Sequence, residues 1–79
     1  MIPPPPPLWP QADGTPLSCR EKLRMLAENH AELAQALQDA FDDAILMGVD
    51  EPAMRRILAS MVAGLESPKR TEDRGQRAA

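Results

Sequence analysis

The chain has 79 residues, a formal net charge of −3 at pH 7 and one cysteine. This length allows one domain at most, and a lone cysteine excludes an intrachain disulfide and a zinc site built from several cysteines. The acidic balance argues against a nucleic-acid-binding protein, which normally has a basic face. We expect a cytoplasmic protein, because the N-terminus lacks a signal-peptide pattern and no apolar run reaches the ~18 residues of a transmembrane helix. Abundant alanine and an excess of arginine over lysine fit a bacterial source.

Residues 1–17 form a proline-rich arm. Pro3–Pro7 are consecutive prolines and favour an extended polyproline II conformation. The segment Asp13-Gly14-Thr15-Pro16 predicts a turn. Trp9 lies between these two features, and three interpretations of the arm remain open: it docks on a partner protein, it packs against the chain's own helices, or it is disordered.

The first predicted helix spans about residues 19–47. Ser18 and Glu21 have the spacing of a capping box at its start, and Gly48 is suited to the left-handed position after its end. Within it, apolar positions recur in alternating steps of three and four, the a/d pattern of a helix that packs on another helix. We call this set the seam; it comprises Leu23, Leu26, His30, Leu33, Leu37, Ala40, Ala44 and Met47.

The second predicted helix spans about residues 51–66, with Asp50 as N-cap, Pro52 in the first turn and Ser67-Pro68 as the stop. The short connection predicts an antiparallel helical hairpin over residues 18–67. Its fold class is all-α, and the residues expected to hold it are Phe41, Ile45, Met54, Ile57, Leu58, Met61 and Leu65. Residues 68–79 contain no large apolar side chain and are expected to be a disordered tail.

The shorter second helix can cover only half of the seam, so the N-terminal half needs another cover. One candidate is a second copy of the chain, and the other is the proline arm folded back with Trp9 on the helix. Basic residues near the start of the first helix and acidic residues near its end both oppose the helix dipole. An antiparallel partner would bring these opposite charges together. We therefore favour an antiparallel homodimeric bundle.

The candidate partner-binding residues fall into three groups. Leu26, His30, Leu33 and Leu37 are expected to carry self-association, with His30 as a polar residue that sets the register. Trp9 is the recognition residue of the arm. Arg55 and Arg56 belong to the one basic concentration, which continues into Lys69 and the tail.

No residue pattern points to catalysis, to a cofactor or to a metal. Cys19 has no histidine beside it in the sequence, and Asp39, Asp42 and Asp43 lack the loop geometry of a cation site. The sequence therefore favours a non-enzymatic protein–protein interaction module, such as an adaptor, a regulator or an accessory or assembly factor. The alternatives are an obligate small subunit of a larger enzyme complex and a small nucleic-acid-binding regulator that uses Arg55 and Arg56.

Overall fold

The computed structural model describes residues 1–69 and contains two α-helices, α1 (Arg20–Leu46) and α2 (Glu51–Ala63). Among these residues the only β-type pairing is an isolated bridge between Pro10 and Pro16. The all-α expectation is confirmed. The chain divides into two compact units, Met1–Ala44 and a second unit that begins at Ile45. The predicted disordered tail covers residues 68–79, of which all but Pro68 and Lys69 lie outside the described residues.

A reverse turn precedes α1, as the sequence predicts. Gly14 has a φ of 91°, a left-handed value that favours glycine. The turn is closed by the Gln11 N–H, which donates to the Thr15 carbonyl at 2.8 Å, and by the Gly14 N–H, which donates to the Gln11 carbonyl at 2.9 Å. The Asp13 carboxylate accepts from the Thr15 N–H at 3.0 Å and from the Thr15 hydroxyl at 2.7 Å. These bonds fix the chain reversal.

The start of α1 corrects the predicted cap. The helix begins at Arg20, and the carbonyl of Cys19 accepts from the N–H of Leu23 at 2.9 Å. Cys19 therefore occupies the N-cap position, and Ser18 lies one residue before it. The physical reason is that the Cys19 side chain accepts from the Lys22 N–H, the bond that an N-cap side chain makes.

The end of α1 agrees with the prediction to within one residue. The helix contains 27 residues, which makes it roughly 40 Å long. Gly48 follows with a φ of 105°, and its N–H donates to the Ile45 carbonyl at 3.0 Å. Glycine adopts this left-handed conformation without the penalty that a Cβ would bring.

Helix α2 has the predicted cap and a shorter length than predicted. The Asp50 carboxylate accepts from the Ala53 N–H at 3.0 Å, and a proline lies in the first turn. The helix ends after 13 residues at Gly64, whose N–H bonds to the carbonyls of Ser60 and Met61. Glycine has a low helix propensity, and it stops α2 before Leu65, which we had placed within the helix.

Burial is sparse throughout the described residues. Ala44 is the one residue there that counts as buried, with 8% of its surface exposed, and no described side chain is fully buried. Most of the apolar face of α1 is half-buried, while several large side chains remain exposed. Hydrophobic stabilisation grows with the apolar area removed from water. The single chain therefore gains little hydrophobic stabilisation from the described residues.

Candidate protein-interaction site

The seam is the largest apolar feature of α1, and its residues differ in exposure. Leu23, Leu26, His30 and Leu37 are half-buried, and Ala44 is buried. Leu33, near the middle of the seam, is 61% exposed. Of the four residues predicted to carry self-association, the single chain partly covers three and leaves Leu33 open.

The covered stripe is rotated toward one side of the seam. Ala34 and Phe41 are half-buried alongside the a positions, whereas the d positions after Leu26 are exposed. Because residues seven apart lie on nearly the same side of a helix, Leu33 and Ala40 form one exposed strip, which we call the open edge. The heptad pattern identifies the face but not this asymmetry, because a and d positions look equivalent in the sequence.

Charged groups are segregated along α1. Arg20, Lys22 and Arg24 lie in its first two turns and form the basic cluster. Arg24 pairs with Glu28 at 3.9 Å on the exposed surface. Because the positive end of the helix dipole is the N-terminus, this cluster lies where cations are disfavoured.

The acidic cluster lies at the opposite end and comprises Asp39, Asp42 and Asp43. Asp39 accepts a hydrogen bond from Gln35 at 2.9 Å, and Asp42 accepts one from Gln38 at 2.9 Å. Both donors are neutral amides, so these bonds orient the carboxylates without supplying a positive charge. The cluster is left as an exposed negative surface.

The apolar face of α2 is also divided by exposure. Met54 and Leu58 are half-buried, whereas Ile57, Met61 and Val62 are exposed. Leu65 is exposed beyond the helix end, and Leu46 is exposed at the end of α1. Leu46 belongs to none of the predicted contact sets, since it lies outside the a/d pattern.

Arg55 and Arg56 are both exposed on α2. Glu51 lies in the first turn of the same helix, and Glu66 follows its end, so the surface carries charges of both signs. The basic concentration predicted around these arginines continues into Lys69, which is exposed, and then into residues outside the described part of the chain.

Trp9 is half-buried and directly precedes the turn of the arm. Its carbonyl accepts from Leu17, which is half-buried as well. Leu8 beside it is exposed, and so are all five prolines from Pro3 to Pro7. The arm is therefore bonded to the turn at Trp9, while Pro3–Leu8 are exposed.

Cys19 lies at the start of α1, a setting in which the pKa of a thiol is lowered. The N–H of Lys22 stabilises its thiolate and lowers the pKa of Cys19 below the ordinary value of 9.0, with smaller contributions from the Glu21 N–H and the Lys22 charge. The thiol is exposed. The lowered pKa follows from the N-cap position, where backbone N–H groups converge.

Residues 1–69 contain neither a membrane-spanning helix nor a cluster of metal ligands. No helix there is long and apolar enough to span a membrane. No group of three or more histidine, cysteine, aspartate or glutamate residues is placed to hold a metal ion in this part of the chain.

In comparisons with known proteins, no family model, curated protein or solved structure matches the chain.

Proposed function

We propose that this chain is a small non-enzymatic protein–protein interaction module, acting as an adaptor, a regulator or an accessory or assembly factor. The observation that carries the proposal is the coverage of the apolar faces. Ala44 is the one buried residue among those described, and Leu33 is 61% exposed at the centre of the seam. Chains this small gain little stability from their own core, so a partner helix on the open edge would supply the missing burial.

We further propose that the partner is a second copy of the chain. The four residues between α1 and α2 favour an antiparallel hairpin, since helices joined by a short loop are usually antiparallel neighbours. Two such hairpins with antiparallel α1 helices would place Leu26 opposite Leu37 and His30 opposite Leu33 of the second copy. The basic cluster would then lie beside the acidic cluster of the other chain, which relieves both unfavourable dipole placements.

The test is the absolute mass by size-exclusion chromatography with light scattering over a dilution series, with circular dichroism on the same samples. A helical dimer of about twice 8.7 kDa is expected. Leu33→Asp places a charge in the open edge and should give a monomer with reduced helix content, because a buried unpaired charge is costly. Ala31→Asp is the matched control, since Ala31 is exposed on α1 outside the seam. An unchanged mass and helicity in Leu33→Asp would place the interface elsewhere.

A second candidate, an obligate subunit of a larger enzyme complex, is favoured by the exposed face of α2. Met61 is 65% exposed and Ile57 and Val62 are exposed beside it; methionine adapts readily to a partner surface. This candidate predicts a monomer with little helix in isolation, which acquires helix only with its partner chain. The dilution series separates it from the homodimer.

The nucleic-acid alternative rests on the exposed Arg55 and Arg56. It predicts binding to nucleic acid that weakens steeply with salt and is lost in Arg55→Ala/Arg56→Ala. Affinity retained in the double variant would remove this alternative.

A further inference from the structure

The strongest feature that the helical seam does not use is the run of prolines in the arm. The proline ring holds φ near −65°, and a residue before proline is restricted to extended or polyproline II conformations. Each residue from Ile2 to Pro6 precedes a proline, and residues 1–69 contain no cis peptide bond. This stereochemistry favours polyproline II from Pro3 to Pro6, and the backbone bends at Pro7.

The exposure of the segment indicates that it is presented to solvent. Polyproline II has three residues per turn, so a segment packed lengthwise on a surface would bury about one residue in three. Here every proline from Pro3 to Pro7 is exposed, and Leu8 is 64% exposed. The flanking residues Ile2 and Trp9 are half-buried.

The reverse turn anchors one end of the segment. Leu17 donates to the Trp9 carbonyl at 2.8 Å, Gln11 donates to the Thr15 carbonyl at 2.8 Å, and the Asp13 carboxylate accepts two bonds from Thr15. A ligand that is already stiff and tied down loses less conformational freedom on binding.

We propose that Pro3–Leu8 is a docking ligand for a partner protein with an aromatic-lined groove of the kind that binds polyproline II. Such grooves receive exposed proline rings between aromatic side chains. The segment carries no charged side chain before Asp13, so a charged surface has nothing to recognise there. This interaction is independent of the seam, because it uses a different part of the molecule and needs no second copy.

The test uses the full chain labelled with ¹⁵N and three purified probes, an SH3, a WW and an EVH1 domain. The chain has one tryptophan, so the indole N–H of Trp9 and the amide of Leu8 report directly on the arm. At least one probe should shift both signals saturably, with an affinity that changes little when salt is raised. The proposal is overturned if none of the three probes shifts the signals of Trp9 and Leu8, or if the shifts are confined to α1 and α2.

The variant Pro4→Ala/Pro6→Ala should weaken this binding by about tenfold or more, because alanine does not hold the polyproline II conformation. Pro52→Ala in α2 is the matched control and should bind as the parent does. Equal affinity in the double variant contradicts the proposal. A loss of helix content in the double variant also contradicts it, since the prolines would then be part of the folded unit and not a presented ligand.

Discussion

Asp13 holds the reverse turn through its charge. The Thr15 hydroxyl, followed by the Thr15 N–H, lowers the pKa of the Asp13 carboxyl below its ordinary value. A lowered pKa in the folded state means that the turn favours the ionised carboxylate. The stabilisation is therefore complete above the ordinary pKa of aspartate and is lost as the pH falls through the lowered value.

Thr15→Val removes the hydroxyl donor while keeping the side-chain shape. We expect the pKa of Asp13 to rise toward its ordinary value in this variant, because the largest cause of the shift is removed. An NMR titration of the Asp13 carboxyl carbon below about pH 5 measures this pKa in the parent and in the variant. Thr15→Ser, which keeps the hydroxyl, should titrate as the parent does. Identical titration of the parent and the valine variant would mean that the hydroxyl bond is absent in solution.

Cys19 links the start of α1 to thiol chemistry. Its pKa is lowered chiefly by the N–H of Lys22, so folding favours the thiolate. The resulting stabilisation of the helix start is complete above the ordinary cysteine pKa and is lost as the pH falls through the lowered value.

We expect Cys19 to react with iodoacetamide faster at neutral pH in the folded chain than in urea. The thiolate is the reacting species, and the backbone donors that stabilise it exist only when α1 is formed. The rate as a function of pH, measured with and without urea, gives the two apparent pKa values. A folded-state profile that coincides with the unfolded one would contradict the N-cap assignment.

At the scale of the elements, two glycines end the two helices in different ways. Gly48 has a φ of 105° and terminates α1 by adopting a conformation that is strained for other residues. Gly64 has φ −84° and ψ 0°, which any residue can adopt. A Cβ at Gly64 would meet its nearest atom, the Ser60 carbonyl oxygen, at 3.4 Å, an ordinary contact.

The same substitution should therefore have opposite effects at these two positions. Gly64→Ala should stabilise the chain by up to about 1 kcal/mol and lengthen α2, since alanine has the higher helix propensity. Gly48→Ala should destabilise it by about 1 kcal/mol or more, since its Cβ is strained at positive φ. Urea unfolding followed by circular dichroism measures both. Effects of the same sign would mean that one of the two helix ends is assigned wrongly.

At the scale of the whole molecule, the orientation of the proposed dimer is measurable through Cys19. Spin labels on this single cysteine should lie about 37 Å apart along the axis in the antiparallel register, because 25 residues at 1.5 Å separate them. A parallel dimer would bring them to about the interaxial distance of 10 Å. Pulsed electron–electron double resonance on the labelled dimer measures this distance and distinguishes the two arrangements.

The control for this distance is Cys19→Ser/Ala31→Cys. Residue 31 lies at the centre of the proposed antiparallel register, so its labels should be close in either orientation. A short distance in both labelled chains would establish parallel helices and remove the pairing of the basic with the acidic cluster. A long distance in the Ala31→Cys chain would show that the register itself is wrong.

Local sequence signals were sufficient for most of the fold. The turn around Gly14, the Asp50 cap and the left-handed Gly48 were each predicted from one to four neighbouring residues, and the all-α class from apolar spacing along two segments. The start of α1 differs by one residue from the prediction because Cys19, and not Ser18, bonds the Lys22 N–H as the cap. The early end of α2 has a signal in Gly64, which the prediction, based on the apolar spacing that continues to Leu65, did not use.

For the candidate site, the sequence by itself determined which residues share a face, since helical periodicity places residues three, four and seven apart on one side. It could not determine how much of that face one chain covers. Only the tertiary structure decided that Leu26, His30 and Leu37 are half-buried, that Leu33 is exposed, and that the arm presents its prolines while Trp9 is partly covered. The reason is physical: periodicity is a property of the backbone helix, whereas exposure depends on contacts between segments that are distant in the chain.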